Sequence, residues 1–229
     1  MCNSVLIVEA HPDDEVLGCR GTICHHIEKG DEVNVLIMVE GATSRAVKRD
    51  RDLHFQEISN LSKAARKVQN ILGIKSLELN DLPDNRLDSI DLLDLTKIIE
   101  SKIKKFKPNI VYTHHSGDVN IDHRRLHKAT VTACRPTPES RVKRILSFET
   151  VSSTEWQPEG SDSSFQPNWF VNIEKYWPKK KKALKAYQSK MREWPHPRSI
   201  EGLEILGKWR GSQIGMHFVK AFKLLRNIE

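Results

Sequence analysis

The chain has 229 residues, 38% of them hydrophobic, and a formal net charge of +7. This length is enough for one sizeable core, so we expect a single domain over residues 1–229. No stretch approaches the roughly 18 consecutive apolar residues of a membrane span, and the first residues lack the basic start of a signal peptide. We therefore predict a cytoplasmic protein without a transmembrane segment, whose basic excess favours anionic partners.

Apolar runs and helical stretches alternate along the first two thirds of the chain. Residues 4–10 and 32–39 have the β-branched, apolar character of buried parallel strands, and the helical stretch between them ends at Gly30. The alternation continues with predicted helices at 46–72, 89–106 and about 122–134, and with predicted strands at 76–80, 109–115 and 144–150. This order predicts an α/β, Rossmann-like layered fold with a mainly parallel sheet flanked by helices.

The last third of the chain, residues 151–229, is expected to form the strand on the pocket side and the C-terminal helices of the same domain. Residues 156–166 are polar and contain Pro, Gly and Ser, which is typical of a loop. Beyond this loop we predict a strand at 168–173, helices at about 176–193 and 199–210, and a terminal apolar segment at 217–226.

Two clusters of histidine and aspartate follow strands of the predicted sheet. The first cluster, in "EAHPDDEV", comes directly after the first strand, and the second, in "THHSGDVNIDH", comes after the fourth. In an open α/β sheet, ligands bind beyond the carboxyl ends of the strands, so both clusters are delivered to one edge. A divalent cation would compensate the crowded carboxylates there. The sequence therefore predicts a metal site at this edge.

The predicted metal ligands are His11, Asp14 and His123. Two imidazoles and one carboxylate with an open fourth position are a recurrent set for catalytic zinc, although another divalent metal is also compatible. Pro12 stiffens the turn, so that His11 and Asp14 can face one point. Asp13 alternates away from Asp14 and is placed to accept a proton from water.

The stretch "AHPDDEVLG" resembles the signature of the LmbE-like, or PIG-L type, zinc-dependent de-N-acetylases, which remove acetyl groups from N-acetylglucosamine units. The segments "THHSGDVNIDHRRLHKA" and "RSIEGLEILGKWRGSQIGMHFVKAF" resemble the second metal motif and the closing segment of that family, so the resemblance covers most of the chain. It implies zinc on His11, Asp14 and His123, Asp13 as the general base, and hydrolysis of the acetamide of an N-acetylated amino sugar.

One position departs from the family pattern. The second motif of better-known members reads His-x-Asp-His, and its first histidine stabilises the oxyanion or protonates the leaving amine, whereas this chain has Asn120. An amide donates hydrogen bonds but is not a proton donor at neutral pH. The alternative acids are His114, His115 and His196, and the remaining option is that Asp13 serves as both base and acid.

Several polar residues are candidates for supporting roles. Asp122 is expected to orient a histidine of the site or to cap the helix that begins there. Arg45 and Arg124 are candidate contacts for a substrate phosphate, and Asn120 and His196 are candidate contacts for the substrate as well. The basic balance predicts a small anionic or carrier-linked sugar substrate, such as a nucleotide-linked or lipid-linked one, with no nucleic-acid partner expected and a homo-oligomer possible.

A binding module is the alternative to an enzyme. In that interpretation the net charge and the lysine-rich stretch 178–192 bind nucleic acid or another anion, and the His/Asp cluster holds a structural metal. The two hypotheses differ in the metal site, because a structural metal has four closed ligands and a catalytic metal keeps an open position in a cleft.

Overall fold

The computed structural model describes residues 2–160 and 162–229, and a seven-stranded sheet lies at its centre. The strands are β1 (Ser4–Glu9), β2 (Glu32–Val39), β3 (Ser76–Leu82), β4 (Ile110–His114), β5 (Arg144–Phe148), β6 (Trp169–Asn172) and β7 (Val219–Asn227). Their order is β3-β2-β1-β4-β5-β7-β6; β1 to β5 are parallel, and β7 is antiparallel to β5 and β6. The predicted α/β fold with a mainly parallel sheet is confirmed.

In the described part of the chain, six α-helices cover the two faces of the sheet. They are α1 (Arg20–Glu28), α2 (Phe55–Leu72), α3 (Leu92–Phe106), α4 (Ile121–Ala133), α5 (Trp177–Leu184) and α6 (Ile200–Ser212). Helices α1, α2, α5 and α6 pack on one face, and α3 and α4 pack on the other. No helix of the described residues combines the length and the apolar character that crossing a membrane requires.

Strand β1 shows why the apolar runs of this sequence are continuous. Val5 and Ile7 pack into the core cluster on one face of the sheet, whereas Leu6 and Val8 pack into the cluster on the other face. All four side chains are at most 1% exposed. A strand that is covered on both faces needs apolar residues at every position, not at alternate ones.

The order of the strands in the sheet determines where the predicted metal site lies. Strands β2 and β3 lie on one side of β1, and β4 lies on its other side, so the direction of the strand order reverses between β1 and β4. In such sheets the crevice at the carboxyl ends of these two strands is the usual ligand site. His11 follows β1, and α4 follows β4, which brings both predicted clusters to this crevice.

The structure corrects two helix boundaries predicted from the sequence. The helix predicted at 46–72 begins at Phe55, because the preceding loop folds back so that Arg49 Nε and Nη2 donate to the buried carboxylate of Glu40 at 2.9 and 2.8 Å. The helix predicted at 176–193 ends as α5 at Leu184. A 3-10 segment with a non-helical residue follows, in which the Tyr187 ring is 1% exposed.

Candidate metal centre and catalytic cleft

The turn after β1 holds Asp13 in an unusual backbone conformation. Its φ is 129°, in the region that favours glycine, which costs about 1–3 kcal/mol for another residue. Hydrogen bonds fix this geometry: the N–H groups of Val16 and Leu17 donate to the Asp13 carbonyl at 3.0 Å, and the Asp13 N–H donates to Glu15 Oε2 at 3.1 Å. The turn therefore maintains a strained residue beside the two predicted ligands.

His11, Asp14 and His123 form a triangle of ligand atoms. His11 Nδ1 lies 3.1 Å from Asp14 Oδ2 and 3.2 Å from His123 Nε2, and these last two atoms are 3.4 Å apart. Ligands at about 2.0–2.1 Å from a tetrahedral zinc ion lie about 3.3 Å from each other. Within the described residues, the other Asp14 oxygen, Oδ1, is buried without a hydrogen bond. The triangle therefore fits a metal ion of this size.

The carboxylates around this triangle favour positive charge. Burial opposes protonation of His11, but Asp122 and Asp14 outweigh burial and raise its pKa well above the ordinary value. Burial also opposes protonation of His123, but Asp118 and Asp14 raise its pKa to about 9. A site that favours positive charge on its ligands has the electrostatics needed to hold a cation.

Each imidazole of the triangle has a carboxylate behind it. His11 Nε2 lies 3.2 Å from Asp84 Oδ1 and 3.3 Å from Asp122 Oδ2. His123 Nδ1 lies 3.2 Å from Asp118 Oδ2. Such partners fix the orientation of a metal-binding imidazole and increase its basicity. Asp84 and Asp118 were not predicted as site residues from the sequence. Asp118 lies in the second His/Asp cluster, and the one sequence signal for Asp84 is its position two residues after the end of β3.

The Asp118 contact leads to a prediction for metal binding. Replacement of Asp118 by asparagine is expected to weaken metal affinity about 10–100-fold, because the imidazole of His123 loses its anionic partner. A chelator competition assay measures this change. Asp94→Asn, on the exposed surface of α3, is the matched control and should leave the affinity unchanged. Equal affinities of the Asp118 variant and the control would contradict the prediction.

Asp122 faces His11 and not its neighbour His123. Its Oδ2 also accepts the N–H of Asn85 at 2.7 Å, and its Oδ1 accepts the N–H of Leu87 at 2.9 Å. These bonds anchor the loop after β3 to the start of α4. Asp122 was predicted as a catalytic residue, and its contacts suit the orienting role that was one of its two expected functions.

His114, predicted as a catalytic residue, lies behind the ligands and does not line the cleft. The side chain is fully buried, its Nε2 accepts the N–H of Ala10 at 3.0 Å, and its ring stacks on His123 with centroids 3.8 Å apart. Burial lowers the pKa of His114 well below the ordinary value. His115 also lies elsewhere, because its Nε2 is 2.7 Å from the carbonyl of Ser163. These placements do not suit proton transfer to a substrate.

A cleft of about 220 Å³ adjoins the triangle at His11, and Asp13 also lines it. Asp13 Oδ2 accepts a hydrogen bond from Arg198 Nη1 at 2.8 Å. Burial raises the pKa of Asp13, and the positive charge of Arg198 partly offsets this effect. Sequence reasoning missed Arg198, although it lies two residues after the selected His196 in "WPHPRS".

The predicted substrate contacts divide into two groups. Arg45, Asn120 and His196 line the cleft, as the predictions require. Asn120 also caps α4. The rings of His196 and Trp156 pack edge to face, with their centroids 5.7 Å apart. Arg124 does not line the cleft, because its Nη1 donates to two backbone carbonyls in the loop before α4. Its contacts suit a structural role.

Comparison with known proteins identifies the family. The sequence profile described as PIG-L, GlcNAc-PI de-N-acetylase, matches residues 6–134, more than half of the chain. The uncharacterized deacetylase YaiS of Escherichia coli (strain K12) is 30% identical over 192 residues, which cover 81% of this chain and 90% of the relative. The chain belongs to the PIG-L family. This membership confirms the resemblance found in the sequence and makes the protein a hydrolase of the deacetylase type.

Solved structures show the same fold as this PIG-L chain. N,N'-diacetylchitobiose deacetylase from Pyrococcus horikoshii has a TM-score of 0.73 at 19% identity and matches over 98% of this chain and 84% of its own. GalB, the 4-carboxy-2-hydroxymuconate hydratase from Pseudomonas putida KT2440, has a TM-score of 0.76 at 20% identity. The match covers 99% of this chain and 98% of the GalB chain. One fold thus carries two chemistries, so the reaction must be argued from the site. PIG-L deacetylases are metal-dependent, which agrees with the ligand triangle.

Proposed function

We propose that the protein is a zinc-dependent hydrolase that removes the acetyl group of an N-acetylated amino sugar of the N-acetylglucosamine type, releasing acetate and a free amine. The observation that carries this proposal is the triangle of His11, Asp14 and His123, of which His11 lines a cleft that also contains Asp13. Three protein ligands beside a cleft suit a catalytic metal, whereas a structural metal needs four closed ligands. This arrangement and the family membership favour the enzyme over the binding module.

The residues of the metal centre and the cleft have separate roles in this proposal. Zinc bound to the triangle would polarise the substrate carbonyl and make a nearby water more acidic. Asp13 is the base in this proposal, because its carboxylate lines the cleft and neighbours the ligands. Asp84, Asp122 and Asp118 hold the two imidazoles in place. The strained turn at Asp13 keeps the base beside the ligands when the substrate enters.

The charge of the cleft supports an anionic substrate. Arg45, Lys190 and Arg192 line it, and within the described residues none of the three forms an ion pair with a carboxylate. Lys190 Nζ donates to the Gly41 carbonyl at 2.6 Å, and the hydrogen bonds of the Arg192 side chain to other described residues go to backbone carbonyls. Their charge therefore favours a phosphate or carboxylate on the group linked to the sugar. The family description, which names GlcNAc-PI, agrees with a carrier-linked sugar.

Acetate release from a panel of N-acetylhexosamines tests the proposal. The panel contains free, nucleotide-linked and lipid-linked sugars, and the zinc-loaded wild type should hydrolyse one of the two anionic classes. Asp13→Asn should lower kcat about a hundredfold or more, because the variant lacks the base. Asp94→Asn is the matched surface control and should keep full activity. Tight zinc binding with no acetate from any member would contradict the proposal.

The other expectations from the sequence stay proposals. We propose that residues 1–229 form one domain in which residues 151–229 complete the pocket, and the pairing of β7 with β5 and the reach of Arg198 to Asp13 support this. A cytoplasmic location and a possible homo-oligomer stay predictions.

A further inference from the structure

Asn120 uses most of its hydrogen-bonding capacity within the protein, and among the described residues one N–H of its amide is left without a partner. Its Oδ1 accepts the backbone N–H groups of Asp122 at 2.8 Å and His123 at 3.4 Å, and its Nδ2 donates to Asn85 Oδ1 at 2.8 Å. These bonds cap α4 and tie it to the loop after β3. The side chain is uncharged and does not release a proton at neutral pH. This position therefore supplies neither the charge nor the acid that a histidine would supply.

Arg198 brings a positive charge to the same cleft from the loop before α6. Its guanidinium is held on two sides, because Nη1 donates to Asp13 Oδ2 at 2.8 Å and Nε donates to Ser152 Oγ at 2.6 Å. Within the described residues, Nη2 makes no hydrogen bond, and the side chain is 23% exposed. The guanidinium is thus fixed beside the base and still has donor groups for a ligand in the cleft.

We propose that Arg198 supplies the charge stabilisation that the second-motif histidine supplies in better-known members, and that Asp13 carries out both proton transfers. This proposal rests on the amide hydrolysis proposed above. The N–H groups of Arg198 stabilise the negative oxygen that forms when water adds to the carbonyl carbon. A guanidinium keeps its proton at physiological pH, so Arg198 is not the acid.

Asp13 then accounts for both proton transfers of the reaction. Its carboxylate takes one proton from the attacking water while the water oxygen bonds to the carbonyl carbon and the C=O electron pair moves to the oxygen. When this pair returns, the C–N bond breaks and the same proton passes from Asp13 to the leaving nitrogen. The amine leaves, acetic acid ionises to acetate, and Asp13 is again a carboxylate.

His196 is the competing candidate for the missing histidine. It lines the same cleft, and its Nδ1 accepts the backbone N–H of Arg198 at 3.0 Å, so the neutral ring carries its proton on Nε2. Arg198 is favoured because it contacts Asp13 directly, whereas the side chain of His196, among the described residues, packs against Trp156 and accepts this backbone bond. Variants of the two residues decide between them.

The kinetic test compares Arg198→Gln, Arg198→Lys and His196→Gln on the panel substrate with the highest turnover. Arg198→Gln should lower kcat about 10²–10³-fold, the usual effect of losing one donor to the oxyanion. KM should change by less than about threefold, because the interaction belongs to the transition state. Arg198→Lys should keep part of the activity through its charge. Arg66→Gln, an exposed arginine of α2, is the matched control and should equal the wild type.

Two kinetic results would overturn the assignment. One is a value of kcat within about threefold of the wild type in Arg198→Gln, and the other is a rise in KM alone. A loss of kcat in His196→Gln, with Arg198→Gln active, would give the role to His196. In the Arg198→Gln background, Asn120→His should recover at least about tenfold in kcat and add an imidazole ionisation to its pH profile. No recovery in a folded double variant would contradict the replacement.

Acetate binding tests Arg198 without turnover. Calorimetry on the zinc-loaded protein should show that Arg198→Gln weakens acetate binding about tenfold, because the carboxylate loses a charged donor. If no panel member is hydrolysed but this weakening is found, the proposed function fails and the assignment of Arg198 to an anionic oxygen is supported. If the panel is hydrolysed and Arg198→Gln changes neither acetate binding nor kcat, the assignment fails and the proposed function stands.

Discussion

Replacement of His123 by alanine is expected to weaken zinc binding by at least about a thousandfold and to abolish acetate release. His123 Nε2 is one corner of the ligand triangle, 3.2 Å from His11 Nδ1 and 3.4 Å from Asp14 Oδ2. Its loss leaves two ligands, which hold a divalent ion too weakly for a defined site. Competition with a chromogenic chelator measures the affinity, and metal analysis after dialysis measures the stoichiometry.

His127→Ala is the matched control for this variant. His127 lies one turn further along α4, and its Nδ1 is 2.8 Å from the carbonyl of His114. It has no contact with the triangle among the described residues, so its removal costs a hydrogen bond but no ligand. The control should bind one zinc ion and release acetate. Equal loss of zinc in both variants would show that α4 had been disrupted, and retention of zinc by His123→Ala would exclude His123 as a ligand.

Zinc affinity should rise steeply with pH, by up to about 10⁴-fold between pH 6 and pH 8. The pKa of His123 is raised to about 9, and that of His11 is raised well above the ordinary value. Protons on these two imidazoles compete with zinc, so a higher pH removes the competition. The dependence should weaken above about pH 9, where His123 is already neutral.

Calorimetric titration of zinc in two buffers of different ionisation enthalpy measures the number of protons released. Near pH 7 this number should approach about two per zinc ion, one from each imidazole. The His123→Ala variant should release fewer protons, which separates the contribution of this residue. An affinity that is independent of pH would show that the imidazoles are neutral before zinc binds.

The central sheet and the ligand triangle could be predicted because their signals are local. β1 and the turn with His11 and Asp14 are adjacent in sequence, and an apolar run followed by acids marks both. The carboxyl ends of parallel strands meet at one edge, so His123 could be placed near them without a structure. Strand periodicity and the general rule for α/β sheets are sufficient for this part.

The supporting residues could not be predicted because their partners are distant in sequence. Asp84 lies 73 positions after His11 in the chain, and Arg198 lies 185 positions after Asp13. Neither has a local pattern that distinguishes it from a solvated charge. The start of α2 was misplaced for the same reason, because the contact of Arg49 with Glu40 depends on the folded loop. Long-range polar contacts therefore set the limit of sequence reasoning in this protein.

His114 illustrates the opposite case, in which a residue of suitable chemistry is buried and does not line the cleft. Its position at the end of β4, beside the second cluster, made it a candidate acid. The fold instead stacks its ring behind His123 and hydrogen-bonds its Nε2 to the backbone N–H of Ala10. Residue type and position in sequence predict which groups approach a site, but burial decides which of them can contact a substrate.

The most direct test follows acetate release while zinc is titrated into chelator-treated protein, with the substrate class identified by the panel. Activity should rise linearly and reach a plateau at one zinc ion per chain, and it should be absent in His123→Ala at the same zinc concentrations. Acetate release that does not depend on added zinc, or zinc bound at one equivalent with no acetate released, would contradict a metal-dependent deacetylase at this site.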